Sequence, residues 1–153
     1  MDLEAYLKEQ GVRFETHAHR ESFTAQELAA AEHEPGRFVA KPVIISADGR
    51  LVMAVVPASH RIDLKRLAKA LSAKKVELAA EADFAERFAD CELGAEPPFG
   101  NLFDMPMIVD QAIADDEHIL FQAGKHDVAI AMRTREYLQV TQPKIGRFAE
   151  HLP

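Results

Sequence analysis

A chain of 153 residues can bury about two thirds of its unfolded surface around one core, so one domain over residues 1–153 is expected. With 48% hydrophobic and 28% charged residues it is not a disordered chain, and its apolar runs are too short to span a bilayer. A formal net charge of −7 argues against broad nucleic-acid binding, because affinity for the phosphate backbone comes from lysine and arginine.

Asp2 predicts an N-cap for a helix over residues 2–10, with Leu3, Tyr6 and Leu7 as its apolar stripe and Gly11 at its end. The start is acidic where a signal peptide is basic, so a cytoplasmic protein that makes no membrane contact is expected. Val12, Phe14 and Thr16 alternate with charged residues as in a half-buried strand. Thr24-Ala25-Gln26-Glu27 is a capping-box pattern, in which threonine and glutamate each satisfy an orphan N–H, and a helix to about residue 32 follows.

Residues 38–46 and 51–56 read as a hairpin, both apolar and β-branched, around a turn at 47–50. Pro42 cannot donate to a ladder, so its strand is expected at an edge or with a bulge beside Lys41. Asp63 predicts the cap of a helix to Leu71, with Leu64, Leu67, Ala68 and Leu71 inward. That stretch is basic: Arg61, Lys65, Arg66, Lys69, Lys74 and Lys75 stand against Asp63 alone. It could hold one arm of a nucleic acid or form a solvated helix face. Residues 77–104 are acidic, with Arg87 the only cation, and include a short helix over 81–88.

Residues 107–110, 118–122 and 128–132 suggest a strand meander with turns at Asp115-Asp116 and Gly124-Lys125. Thr134 is the expected cap of a helix through Leu138, and Pro143 ends regular structure before a tail whose Ile145 and Phe148 dock on the core.

Cys91 is the only cysteine, so the chain can form neither an internal disulfide nor a zinc site built on cysteines, and without a base nearby in sequence it reads as a small packed residue. Phosphate-binding glycine loops and the G-x-S-x-G elbow are absent, and none of the four serines stands in a nucleophile setting. His17 and His19 share one strand face, but a third ligand is not identifiable, and no metal or cofactor is expected. Two features remain. Lys41 lies in the apolar run Phe38-Val39-Ala40-Lys41-Pro42-Val43, where it either snorkels to solvent or holds a positive charge at a site. Leu93-Gly94-Ala95-Glu96-Pro97-Pro98-Phe99-Gly100 is a proline-stiffened loop with glycine near both ends, which lets backbone N–H groups approach a ligand closely.

Lys41 with Gly94-x-x-x-Pro98 some fifty residues later resembles the YbaK/prolyl-tRNA synthetase-associated family, whose members hydrolyse wrongly charged aminoacyl-tRNAs. Thr24-Ala25-Gln26-Glu27-Leu28-Ala29 and Phe121-Gln122-Ala123-Gly124-Lys125 are similar to the same family's N-terminal helix and late glycine turn. The resemblance implies an α+β domain with a curved, mixed, mainly antiparallel sheet surrounded by helices. It implies a free-standing deacylase acting at the acceptor end of a mischarged tRNA, such as tRNA-Pro carrying a small amino acid, with an aminoacyl-tRNA synthetase as a possible partner. Lys41 and Gly94 are then the catalytic positions, Pro98, Phe99, Gly100, Gly124, Lys125 and His126 contact the substrate, and Lys65, Arg66 and Lys69 touch the tRNA. His126 reads equally as an exposed turn residue. Pro97 and Pro42 depart from the family pattern, and selection by pocket size would supply about 1–3 kcal/mol per methylene. The rival reading is a non-catalytic module that binds tRNA ends or aminoacyl groups. A small-molecule esterase is a third.

Overall fold

The computed structural model describes residues 2–153 as an α+β fold, a mixed and mainly antiparallel array of strands in three groups with six α-helices around it. Its central piece is a hairpin of β2 (Ala40–Ala47) and β3 (Arg50–Pro57), closed by Asp48-Gly49 at φ 49° and 83°. Positive φ at both turn residues matches the right-handed strand twist and explains the Asp-Gly pair. β5 (Val76–Leu78) adds antiparallel to β2, while β6 (Met107–Asp110) and β9 (Lys144–Gly146) add parallel beyond β3, giving the order β5-β2-β3-β6-β9. The second sheet, β1 (Phe14–Ala18), β8 (Val128–Arg133) and β7 (His118–Lys125), is antiparallel and touches the first through a bridge between Val39 and Leu120. β4 (His60–Ile62) and β10 (Ala149–His151) form a separate pair.

Alternation along β3 sends Met53 and Val55 to one face and Val52, Ala54 and Val56 to the other, so each face builds a different core. The first face meets Ile119, Phe121, Ile130 and Met132 of the small sheet, closed by α1 (Leu3–Glu9) and by Tyr137 of α6 (Thr134–Thr141). The second packs against Leu67 of α3 (Leu64–Leu71) and Phe148. α2 (Ala25–Ala31) covers the far side of the small sheet with Leu28 and Ala29. Each large side chain fully buried here contributes roughly 1.5–3 kcal/mol. No helix among the described residues is long and apolar enough to cross a membrane.

Three expected caps hold: Asp2 accepts from Ala5 N–H at 3.1 Å, Thr24 from Glu27 N–H at 3.0 Å, and Asp63 from Lys65 and Arg66 N–H. Other expectations fail for tertiary reasons. The meander does not form, because α5 (Gln111–Ala114) intervenes after β6 and sends the chain into the other sheet. The turn after β7 is His126-Asp127, a step later than Gly124-Lys125. The segment 81–88 is a short α4 (Glu81–Phe84) running into a 3-10 turn. Thr134 is the first residue of α6 and not its cap; Arg133 holds the cap position and makes no side-chain capping bond. Leu64 and Ile145 are exposed, and Pro143 does not end regular structure, since Asp110 draws the tail back by accepting from Phe148 and Ala149 N–H at 2.8 and 2.9 Å.

Candidate active site

β5 pairs only with residues 45–47 of β2, so the outer edge of β2 is free of strand at Pro42, as a residue without an N–H requires, and no bulge is needed. The loop 93–96 lies over that bare edge. Lys41, Pro42, Gly94 and Glu96 line both of two adjoining cavities: an outer one of about 270 Å³ that adds Leu78, Glu81, Phe84 and Leu93, and an inner one of about 110 Å³ that adds Ala25, Leu28, Val39, Ala40 and Gln122. Broader depressions of about 780 and 870 Å³ lie around His118 and Arg133 and contain neither Lys41 nor any loop residue.

Lys41 is half-buried and donates from Nζ to the His60 carbonyl at 3.0 Å, and burial lowers its pKa from the usual lysine value. Burial disfavours the ammonium, while the carbonyl and any anion entering the cleft favour it. His60 is held below the ordinary histidine range by burial first, then by His151. Gly94 has φ 87°, and a Cβ there would meet His126 Cε1 at 3.4 Å. Its N–H is not open: Glu96 folds back and accepts from it at 3.1 Å, so the acidic residue of the loop occupies the donor expected for a ligand.

Behind the loop, an irregularity in β7 between Gln122 and Lys125 turns Gly124 outward from its ladder. Glu92 N–H donates to Gly124 O and Gly124 N–H to Ala95 O, each at 2.8 Å. His126 is buried between two carbonyls, with Nδ1 3.0 Å from Ser22 O and Nε2 2.7 Å from Leu93 O. Gly124 and His126 thus brace the loop from behind, and His126 is not the exposed turn residue of one sequence reading. Gln122 donates from Nε2 to Ser22 O at 2.7 Å and is itself buried.

The remaining expected contacts stand apart from the cavities. Lys125 is exposed and lines neither. Pro98, Phe99 and Gly100 are core residues: Tyr137 donates to Pro98 O at 2.6 Å, Phe99 packs edge-on to Tyr6, Phe121 and Tyr137, and Gly100 is pressed against Met107 and Met105. Lys65, Arg66 and Lys69 lie exposed on α3. The Cys91 thiol is pushed up to about 11, by burial first and then by Glu96 and Asp90, so it stays protonated at neutral pH. His17 pairs with Glu32 and Glu15, and no group of three His, Cys, Asp or Glu among the described residues could hold a metal ion. Sequence reasoning missed Glu96 and Gln122. Gln122 carried a signal, as the one polar residue inside the buried run Ile119-Leu120-Phe121-Gln122.

One small cleft against a strand edge thus brings together charges of both signs, a positive-φ glycine and a buried glutamine. The chain belongs to the aminoacyl-tRNA editing domain family, whose model matches residues 19–140. It is 30% identical over 98 residues to the multifunctional Ser/Thr-tRNA deacylase ProXp-y of Escherichia coli (strain K12), covering 63% of this chain and 58% of that protein. Over 117 residues it is 31% identical to EbsC of Enterococcus faecalis (strain ATCC 700802 / V583), a candidate Cys-tRNA(Pro)/Cys-tRNA(Cys) deacylase, covering 76% of this chain and 69% of EbsC. The crystal structure of a candidate trans-editing enzyme for prolyl tRNA synthetase shares the fold, with a TM-score of 0.82 at 16% identity over 97% of this chain and 95% of that one.

Proposed function

We propose that this protein is a free-standing, cytoplasmic deacylase that hydrolyses the ester of a mischarged aminoacyl-tRNA and so clears a small amino acid. The observation that carries the reading is the convergence of Lys41, Gly94 and Glu96 on one small cleft in a chain of the editing family. Lys41 holds the terminal phosphate or ribose by its charge and fixes the ester within reach of water. Glu96 leaves Gly94 for the α-ammonium of the amino acid, which frees the Gly94 N–H for the carbonyl oxygen. Water adds to the ester carbon, and the N–H stabilises the tetrahedral oxyanion, a contact worth about 3 kcal/mol in known oxyanion holes. The C–O bond to the ribose then breaks and the ribose oxygen takes a proton, leaving free amino acid and uncharged tRNA. The adjacent ribose hydroxyl orients or activates the water, consistent with two cavities that neither a serine nor a cysteine lines. Other parts of the acceptor end rest on α3, and an aminoacyl-tRNA synthetase supplies the substrate.

One observation favours the rival, a non-catalytic module that binds aminoacyl ends: the Gly94 N–H is already paired with Glu96. Release of free amino acid from a panel of mischarged tRNAs separates the two. Catalytic release of one or a few small amino acids supports the deacylase, and tight binding without release supports the module.

A further inference from the structure

Phe23 is a large apolar side chain left 56% exposed beside the cleft. Its place in the sequence suggests a structural role that it does not play. Thr24 is the N-cap of α2, so Phe23 stands one residue ahead of the cap, where an apolar residue ordinarily packs against the fourth helical residue, here Leu28. Leu28 is instead fully buried with Ala29, Val39 and Leu120, while more than half of Phe23 stays in water. The ring is nonetheless held. Glu27 accepts from Phe23 N–H at 3.2 Å, which ties its backbone to the first turn of α2. The Phe23 ring lies against the His126 ring, with centroids 4.6 Å apart at 42°, and His126 is itself buried behind the loop. Both residues border Gly94: a Cβ there would meet His126 Cε1 at 3.4 Å and Phe23 O at 3.7 Å. A positioned aromatic ring thus stands at the rim of the cleft, backed by His126 and open to solvent.

We infer that Phe23 is a stacking platform for the terminal nucleobase of the substrate, a base-binding subsite beside the cleft. The inference rests on the deacylase reading above, which puts the ester at Gly94 and the terminal ribose or phosphate at Lys41. The base hangs from the same ribose that carries the ester, so it must lie within one sugar's width of Gly94, where Phe23 stands. Stacking suits an acidic chain, because every base offers a π-face that an aromatic ring takes without added positive charge. A protein partner is the poorer occupant. A stable protein interface buries about 800 Å² on each side, whereas the chain around Phe23 is the polar run Arg20-Glu21-Ser22 and Thr24.

The chain contains no tryptophan, so Phe23→Trp puts a single indole emitter on the platform. Adenosine 5′-monophosphate should quench that emission saturably, and ribose 5-phosphate, which lacks the base, should leave it unchanged. Emission that stays constant with adenosine 5′-monophosphate, or falls only linearly as it does for free tryptophan, would overturn the inference. The second arm is hydrolysis of mischarged tRNA. Phe23→Ala should raise the half-saturating concentration at least about fivefold with kcat little changed, since stacking is a contact made before the transition state. Phe23→Trp, which keeps an aromatic face, should stay near the native value. Against an aminoacyl ester of a ribose without a base, Phe23→Ala and the native protein should perform alike. An equal loss on that base-free ester would make Phe23 a prop for His126 and overturn the inference. A native protein that releases no amino acid, yet whose Phe23→Trp variant shows the quenching, would keep the base subsite and lose the deacylase.

Discussion

Lys41 and Gly94 are both held in states that an unconstrained residue would avoid. Lys41 keeps its ammonium half-buried, with the His60 carbonyl as its protein partner. Burial lowers its pKa, so the charge is lost at a lower pH than in a free lysine; between those two values folding stability rises with pH, while binding of an anion weakens. Gly94 combines φ 87° with a 3.4 Å approach to His126 Cε1 at the position of a Cβ. Gly94→Ala should therefore cost about 1 kcal/mol or more in stability, read as a lower thermal midpoint. Its larger effect should be on turnover, with single-turnover release falling at least tenfold and KM little changed, since an oxyanion contact forms chiefly in the transition state. Parental turnover in that variant would make the loop a scaffold. Ala95 is no neutral control beside it, because it is fully buried and a hydroxyl there would need a partner.

Secondary elements differ in how far their sequence determines them. The caps at Asp2, Thr24 and Asp63, and the Asp48-Gly49 turn, are local chemistry and were readable as such. The three-residue strands β4, β5, β9 and β10 are too short to show a period, and exist because a partner strand or Asp110 captures their backbone. β1 is pinned to α2 by His17, whose pKa is raised by its hydrogen bond to Glu32 and, against the opposing effect of burial, by Glu15. That pair stabilises fully below the unfolded histidine value and fades as pH rises through the higher folded one. The stability difference between the native protein and His17→Asn should therefore be larger near about pH 5.5 than near about pH 8.5, and within about 1 kcal/mol because the ring is partly exposed. A difference independent of pH would place the contribution elsewhere. On α3, Lys65, Arg66 and Lys69 are exposed and answer to no core constraint. Reversing all three should weaken tRNA binding and reduce the magnitude of its log–log salt slope by up to about three. Unchanged affinity and slope would leave them a solvated face.

At the scale of the molecule, the proposed action on tRNA asks an acidic protein for a small footprint, and the cleft is one: a single cation at a strand edge, a glycine loop and a narrow inner cavity. Lys41 and Gly94 were legible because a lysine in an apolar run and a glycine before two prolines are unusual on their face. Glu96 was hidden among many carboxylates, and its value comes from folding back onto Gly94, which no spacing rule encodes. Phe99 and Gly100 show the converse, since a motif residue can serve the core beneath a site without touching it. The charge at Lys41 is the centre of the proposed clamp, and its most direct test is release of free amino acid from mischarged tRNA by Lys41→Ala beside the native protein, with thermal midpoints taken on both. Release should fall at least about a hundredfold, in the range of removing one charge-stabilising contact. The midpoint should fall by no more than the cost of one lost hydrogen bond at the His60 carbonyl. Release at the native rate from a folded Lys41→Ala protein would contradict it.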